Sequence, residues 1–235
     1  MPDFVFLHGA FHGAWCWETL NEELKLRGVQ GFACDLPGHG NDSTPRRQVT
    51  RDSYISKACD FIASLPVDSL TLVGHSLAGI ILPEVAAEFP LKIKQVVYLA
   101  ALILSPGEKA IDLIPANRRS SYYKLADNSD DYTVRINFEK VQELFFYDIE
   151  EQLAREYYAK LTPQPFQVYL DKAKSPKHNC PVSYIVCNQD RALTPELCLS
   201  WLNKIETAVY RVDSGHDVML SNPSILADLL LKIAV

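Results

Sequence analysis

Ser69-Leu70-Thr71-Leu72-Val73-Gly74-His75-Ser76-Leu77-Ala78-Gly79 reads as a buried strand that breaks into a turn of small residues with a serine at its apex. Residues 69–74 have the near-continuous apolar character of a strand covered on both faces, and the pattern from 77 to 88 becomes helical. A serine on so sharp a strand-to-helix turn occupies strained φ/ψ space, which lifts its Oγ above the sheet and leaves the following N–H free. Only small side chains fit two positions to either side. Gly74 meets that demand, and Ala78 stands where glycine is usual, with Gly79 directly after it. A bare match of this kind arises readily by chance; the strand before it and the helix after it give it weight. Ser76 is the candidate nucleophile.

Working outward, apolar runs alternate with helical patterns. Strands are expected at 4–7, 29–34, 69–74, 94–100, 182–187 and 208–213, and helices at 15–27, 51–64, 77–88, 195–203 and 224–233, the last announced by Asn222-Pro223. Such alternation is the signature of an α/β fold, here a six-stranded, mainly parallel, doubly wound sheet. It stops between Ser105 and Ser175, where no strand-like run occurs and aromatic residues crowd in. The expected division is a core of 1–104 and 172–235 with a helical lid inserted at 105–171, all in one structural domain. The aromatics read equally as a second patch of core or as the apolar underside of a lid over a substrate pocket. Tyr122, Phe145 and Phe146, with Phe11 from the first loop, are the candidate pocket residues.

A chain of 235 residues with 48% hydrophobic and 22% charged content suits one large soluble domain. Net charge −6 argues against a nucleic-acid partner, which needs a clustered basic face. The basic pair Arg118-Arg119 reads as solvated surface. The start runs from Met1-Pro2-Asp3 straight into apolar Phe4 without a charged leader, and no apolar run reaches the roughly 18 residues of a membrane span. No membrane partner and a cytoplasmic location are therefore expected. The six cysteines form no C-x-x-C and no zinc-spaced cluster with histidine, so free thiols packed as small hydrophobes are expected, with no metal and no catalytic cysteine.

A serine needs a base, and the base needs an acid to hold its tautomer. His8 and His75 lie in glycine turns, His39 in Leu36-Pro37-Gly38-His39-Gly40, and His178 near the end of the insertion; each reads as structural. His216 follows the final strand in Asp213-Ser214-Gly215-His216, where strand ends aim side chains at the crevice, and is the candidate base. The candidate acid is Asp190, just after the strand at 182–187, because Ala100-Ala101-Leu102 ends the preceding strand without a carboxylate. Asp213 and Asp217 lie too close to His216 in sequence to reach its far ring nitrogen. An oxyanion hole needs two N–H groups. Leu77 supplies one, and the glycine-rich loop after the first strand supplies the other from Ala10, with Phe11 as fallback.

These motifs resemble the α/β-hydrolase superfamily, and more narrowly the branch of plant methylesterases and hydroxynitrile lyases with their bacterial esterase relatives. The resemblance is carried by His8-Gly9-Ala10, His12-Gly13-Ala14-Trp15, Asp35-Leu36-Pro37-Gly38-His39-Gly40, Gly74-His75-Ser76-Leu77, Thr194-Pro195-Glu196 and Gly215-His216-Asp217-Val218-Met219-Leu220. The order Ser76, Asp190, His216 is the one expected there. The resemblance implies hydrolysis of a small-molecule ester without a cofactor, and a homodimer. It also implies that a lyase would carry a lysine after the histidine and a threonine in the first loop; Asp217 and Ala10 occupy those positions, which favours the esterase. Lactone, amide or C–C bond hydrolysis on the same residues, and a ligand-binding receptor on the same fold, remain the alternatives.

Overall fold

The computed structural model describes residues 3–174 and 180–234, so His178 lies outside the described residues. In chain order the strands are β1 (Asp3–Leu7), β2 (Gly31–Ala33), β3 (Leu70–His75), β4 (Ile93–Leu99), β5 (Thr133–Val134), β6 (Gln164–Pro165), β7 (Val182–Cys187) and β8 (Ala208–Val212). Six of them form one sheet in the order β2-β1-β3-β4-β7-β8, and every neighbouring pair is parallel. β1, β3 and β4 are almost wholly buried, as their apolar runs demand, whereas the edge strand β8 buries only Val212 fully.

The first helices are α1 (Glu18–Leu26), α2 (Arg51–Ser64) and α3 (Leu82–Glu88). The insertion contributes α4 (Ala110–Leu113), α5 (Ala116–Asp127), α6 (Phe138–Leu144), α7 (Glu151–Lys160) and α8 (Gln167–Leu170), and the chain closes with α9 (Pro195–Trp201), α10 (Val218–Ser221) and α11 (Pro223–Ile233). Local chemistry sets these boundaries. Thr50 Oγ1 accepts the Ser53 N–H at 3.2 Å and Ser53 Oγ accepts the Thr50 N–H at 3.0 Å, a capping box that opens α2. The chain runs from β1 outward to β2, then crosses back to β3 on the other side of β1. The helices α1, α10 and α11 therefore pack together on one face and α2 and α3 on the other. This reversal opens a crevice above the carboxyl ends of β1 and β3.

Two expectations need correction. The insertion is not purely helical, because β5 and β6 pair antiparallel within it; two-residue strands are too short for any hydrophobic period to register. The helix expected from 77 begins instead as a tighter 3-10 turn, Ser76–Ile81, and becomes α-helical only at Leu82. Beneath that turn lies the buried Arg51. Its Nε and Nη2 donate to the Ile80 carbonyl at 3.1 and 2.9 Å, and Nη2 also pairs with Glu84. Removing one partner of so buried an ion pair costs roughly 3–5 kcal/mol, so this cation fixes the turn to α2.

Candidate active site

Ser76 sits where β3 ends, with φ +52°, in the left-handed region that a non-glycine residue adopts only under constraint. The constraint is visible around it. A Cβ on Gly74 would fall 2.6 Å from Leu82 Cδ2, and one on Gly9 would fall 2.9 Å from both Ser76 Cβ and His75 Nδ1. A Cβ on Gly79 would collide with the Leu102 carbonyl, whereas Ala78 finds room for its methyl. The indispensable glycine of this turn is thus Gly79. The Leu102 N–H donates to the Ser76 carbonyl at 3.0 Å, which ties the turn to the loop after β4.

Asp190 and His216 arrive together because their strands are neighbours. β7 and β8 are in register from Ser183↔Ala208 to Cys187↔Val212, and the pairing continues past the strand ends: Asn188 N–H donates to Val212 C=O at 2.8 Å and Gln189 N–H to Ser214 C=O at 3.1 Å. His216 Nδ1 then meets Asp190 Oδ2 at 2.6 Å, both residues buried. The other Asp190 oxygen accepts the N–H groups of Ala192 (2.7 Å) and Leu193 (2.8 Å), acceptor-only contacts that suit a carboxylate. Burial alone would lower the His216 pKa; the facing Asp190 charge and hydrogen bond outweigh it and raise it. Burial lowers His8 to about 4 and pushes His39 and His75 well below the usual range. With Nδ1 spent on Asp190, the ring nitrogen of His216 left for proton transfer is Nε2. The Phe145 ring stacks on the imidazole at 5.3 Å between centroids.

In the loop after β1, Phe11 is also left-handed, with φ +68°. Its N–H donates to Gln164 Oε1 at 3.3 Å and its carbonyl accepts the Thr162 N–H at 2.8 Å. The fallback N–H of Phe11 is therefore engaged. Gln164 and Thr162 are in turn held by Tyr54 and His39: Gln164 Nε2 donates to Tyr54 OH at 3.1 Å, and His39 bridges Thr162 Oγ1 (2.8 Å) and Tyr54 OH (2.6 Å). Leu77 is the second residue of the 3-10 turn, so its N–H lies in the first turn, where no carbonyl within the helix is placed to accept it.

Ser76, Ala10 and Leu77 line a common pocket. Phe11, Tyr122 and Phe145 line it as expected from sequence; Phe146 does not. Phe146 follows Phe145 directly, and its ring faces the other way, packing fully buried against His12 and Tyr157. Arg118 also lines the pocket, which corrects its reading as solvated surface: its Nη2 donates to the Ala192 carbonyl at 3.0 Å. Tyr169, one of the insertion aromatics read equally as core or pocket wall, proves to be wall; Leu144 and Leu193 carried no signal in the sequence that set them apart from core leucines.

Asp217 was also passed over. It is fully buried, with Oδ2 3.2 Å from His12 Nε2 and Oδ1 3.5 Å from His75 Nε2. His12 Nδ1 donates to the Ala10 carbonyl at 2.8 Å, and His75 Nε2 to the His216 carbonyl at 3.1 Å. One carboxylate thus braces both the first loop and the histidine loop. Asp148 of the insertion supports the latter from outside, accepting the Gly215 N–H at 2.8 Å. Ligand atoms of His75, His216 and Asp217 lie within 4.8 Å of one another, the spacing of a metal cluster; these groups are already engaged with His12, Asp190 and the backbone. Cys16, Cys34, Cys59, Cys187 and Cys198 form no disulfide, and burial raises their thiols, Cys34 and Cys198 to about 12 and Cys59 to about 11. Among the described residues no helix is long and apolar enough to cross a membrane.

A sequence profile of the alpha/beta hydrolase family matches residues 4–229. The chain belongs to that family. Within it the likeness runs to plant methylesterases: Methylesterase 17 of Arabidopsis thaliana is 28% identical over 253 residues, covering 100% of this chain and 92% of its own length. Pheophorbidase of Raphanus sativus is 41% identical over a shorter stretch of 106 residues, 44% of this chain and 40% of its own. Among solved structures, methylesterase MES16 from Arabidopsis aligns with TM-score 0.82 at 27% identity over 99% of this chain and 98% of its own. An extracellular alpha/beta-hydrolase from a Paenibacillus species aligns with TM-score 0.89 over 100% and 99% at 22% identity, a likeness of fold. These relatives support an esterase of the α/β-hydrolase kind.

Proposed function

We propose that this chain is a serine carboxylesterase acting on small to medium esters, with Ser76 as nucleophile, His216 as base and Asp190 as its orienting acid. The observation that carries the reading is the 2.6 Å contact between His216 Nδ1 and Asp190 Oδ2, made at the carboxyl edge of the sheet on which Ser76 is held at φ +52°. His216 Nε2 takes the Ser76 proton as Oγ attacks the ester carbonyl, and the N–H groups of Ala10 and Leu77 receive the developing oxyanion. His216 then returns the proton to the departing alcohol. Water repeats the sequence on the acyl-enzyme. The insertion at 105–171 acts as the lid that shapes the pocket, and methyl esters, the class named for the relatives, are the first substrates to try. The thiols of Cys16, Cys34, Cys59, Cys187 and Cys198, which form no disulfide, fit a reducing, cytoplasmic setting. Asp217 supports the esterase over a lyase: the position directly after His216 carries a carboxylate turned inward to His12 and His75, and so supplies no cation for a departing anion.

The test combines a fluorophosphonate probe with a p-nitrophenyl acyl series. Covalent labelling at Ser76 with turnover of short esters, both lost in Ser76→Ala, is the expected result. A Ser76→Ala variant that still turns over esters, with contaminating hydrolases removed, would overturn the assignment, and so would a wild-type protein that neither labels nor turns over.

A further inference from the structure

One charged side chain lines the Ser76 pocket: Arg118 from α5. Its walls are otherwise apolar or aromatic apart from Ser76 itself and two phenols, Tyr122 and Tyr169. Among the described residues no carboxylate pairs with Arg118, and its single hydrogen bond, to the Ala192 carbonyl, occupies one of five donors. The two phenol rings meet edge to face at 5.7 Å. Tyr169 is 3% exposed, yet neither its hydroxyl nor that of Tyr122 has a hydrogen-bond partner among the described residues. Neither phenol oxygen is sealed in the core; both stand with a guanidinium that no described carboxylate neutralises on the wall of one cavity, three donors arranged where an acceptor could enter. Burial raises both phenols, and the Arg118 charge opposes that rise; the same charge is felt at His216.

We infer that Arg118, with the hydroxyls of Tyr122 and Tyr169, forms an anion-recognising end of the pocket, so that the preferred ester carries a carboxylate beyond its scissile bond. This deepens the esterase reading and rests on it. A planar carboxylate matches the guanidinium fork, and the two hydroxyls can donate to the lone pairs the fork leaves over. The aliphatic walls at Ile114, Leu144 and Leu193 suit a short methylene spacer between the two ends. The chain's net charge of −6 offers no general attraction for anions, which makes the selectivity local to this pocket.

The experiment compares monomethyl glutarate with methyl pentanoate, a charged and a neutral ester of similar length, in wild type, Arg118→Gln and Arg118→Lys. Gln keeps a donor for the Ala192 carbonyl and removes the charge. The ratio of kcat/KM for the charged over the neutral ester should fall at least tenfold in Arg118→Gln, mostly through KM, and stay within about threefold of wild type in Arg118→Lys. Were Arg118 only a tie between α5 and the loop after Asp190, both esters would decline together; an unchanged ratio overturns the inference. Calorimetric titration with glutarate, which has no ester bond, separates this result from the parent reading. Glutarate binding that disappears in Arg118→Gln supports the anion site even if no ester is turned over, an outcome that would count against the esterase alone. Glutarate binding that is absent from wild type at millimolar concentration overturns the anion site.

Discussion

Replacing Asp217 by Asn keeps the volume of the buried side chain and removes its charge, and the consequence can be followed through pH. Burial, the largest influence, would raise the carboxyl, but the neighbouring His12, His75 and His216 outweigh it and bring the pKa from 3.8 down to about 2. A group whose pKa is depressed by folding stabilises the native state above its unfolded value and loses that stabilisation as pH falls through the folded one. The difference is worth about 2 kcal/mol at pH 7 and about half of that by pH 3. Asp217→Asn should therefore unfold about 4–8 °C below wild type near neutrality. Urea titrations followed by circular dichroism between pH 3 and 7 would measure the gap directly. A gap that narrows toward pH 3 supports the bracing role of Asp217. A gap that is constant across the range, or absent at pH 7, refutes it, since the stability would then owe nothing to the ionised carboxylate.

Asp190→Asn should lower kcat/KM on esters by roughly 10³–10⁴-fold with KM little changed, because the wrong His216 tautomer would be favoured. Since Asp190 raises the His216 pKa above 6.5, the wild-type acid limb of the pH–rate profile should lie above 6.5, and the residual activity of the Asn variant should show that limb at lower pH. Gln164→Leu removes the acceptor that holds the Phe11 N–H; steady-state kinetics should show kcat down by about tenfold, the worth of one hydrogen bond, with KM and the far-UV spectrum preserved. Gly79→Ala should destabilise the fold by about 1–3 kcal/mol in thermal melts, because its methyl would press on the Leu102 backbone and the Ala101 methyl, which have little room to yield.

What was legible in the sequence and what was not divides along physical lines. β1, β3, β4 and β7 announce themselves because their largely apolar runs are buried on both faces, whereas the edge strands β2 and β8 are short or half polar and stand out mainly by alternating with helical patterns. Ser76, Asp190 and His216 stand out as candidates because each ends or follows a sheet strand, and parallel strands carry the residues after their carboxyl ends to one edge. Side-chain direction is another matter. Phe145 and Phe146 are adjacent in sequence and identical in kind, yet one covers His216 and the other fills core; only the exit angle of α6 decides. Arg118 looked solvated because its helix is polar nearly all round, and the insertion's packing, which no local pattern encodes, turned it inward. Asp217 was dismissed for standing next to His216, although adjacency is what lets its side chain point away from the pocket and under it.

The double duty of the insertion sets terms for anyone who would remodel this pocket. Ile114, Tyr122 and Leu144 form wall and can be exchanged to change what is admitted, whereas Thr162 and Gln164 grip Phe11 at both ends of its peptide. Diversifying 110–146 redraws the guest list; touching 162–164 loosens the anvil on which any guest is struck.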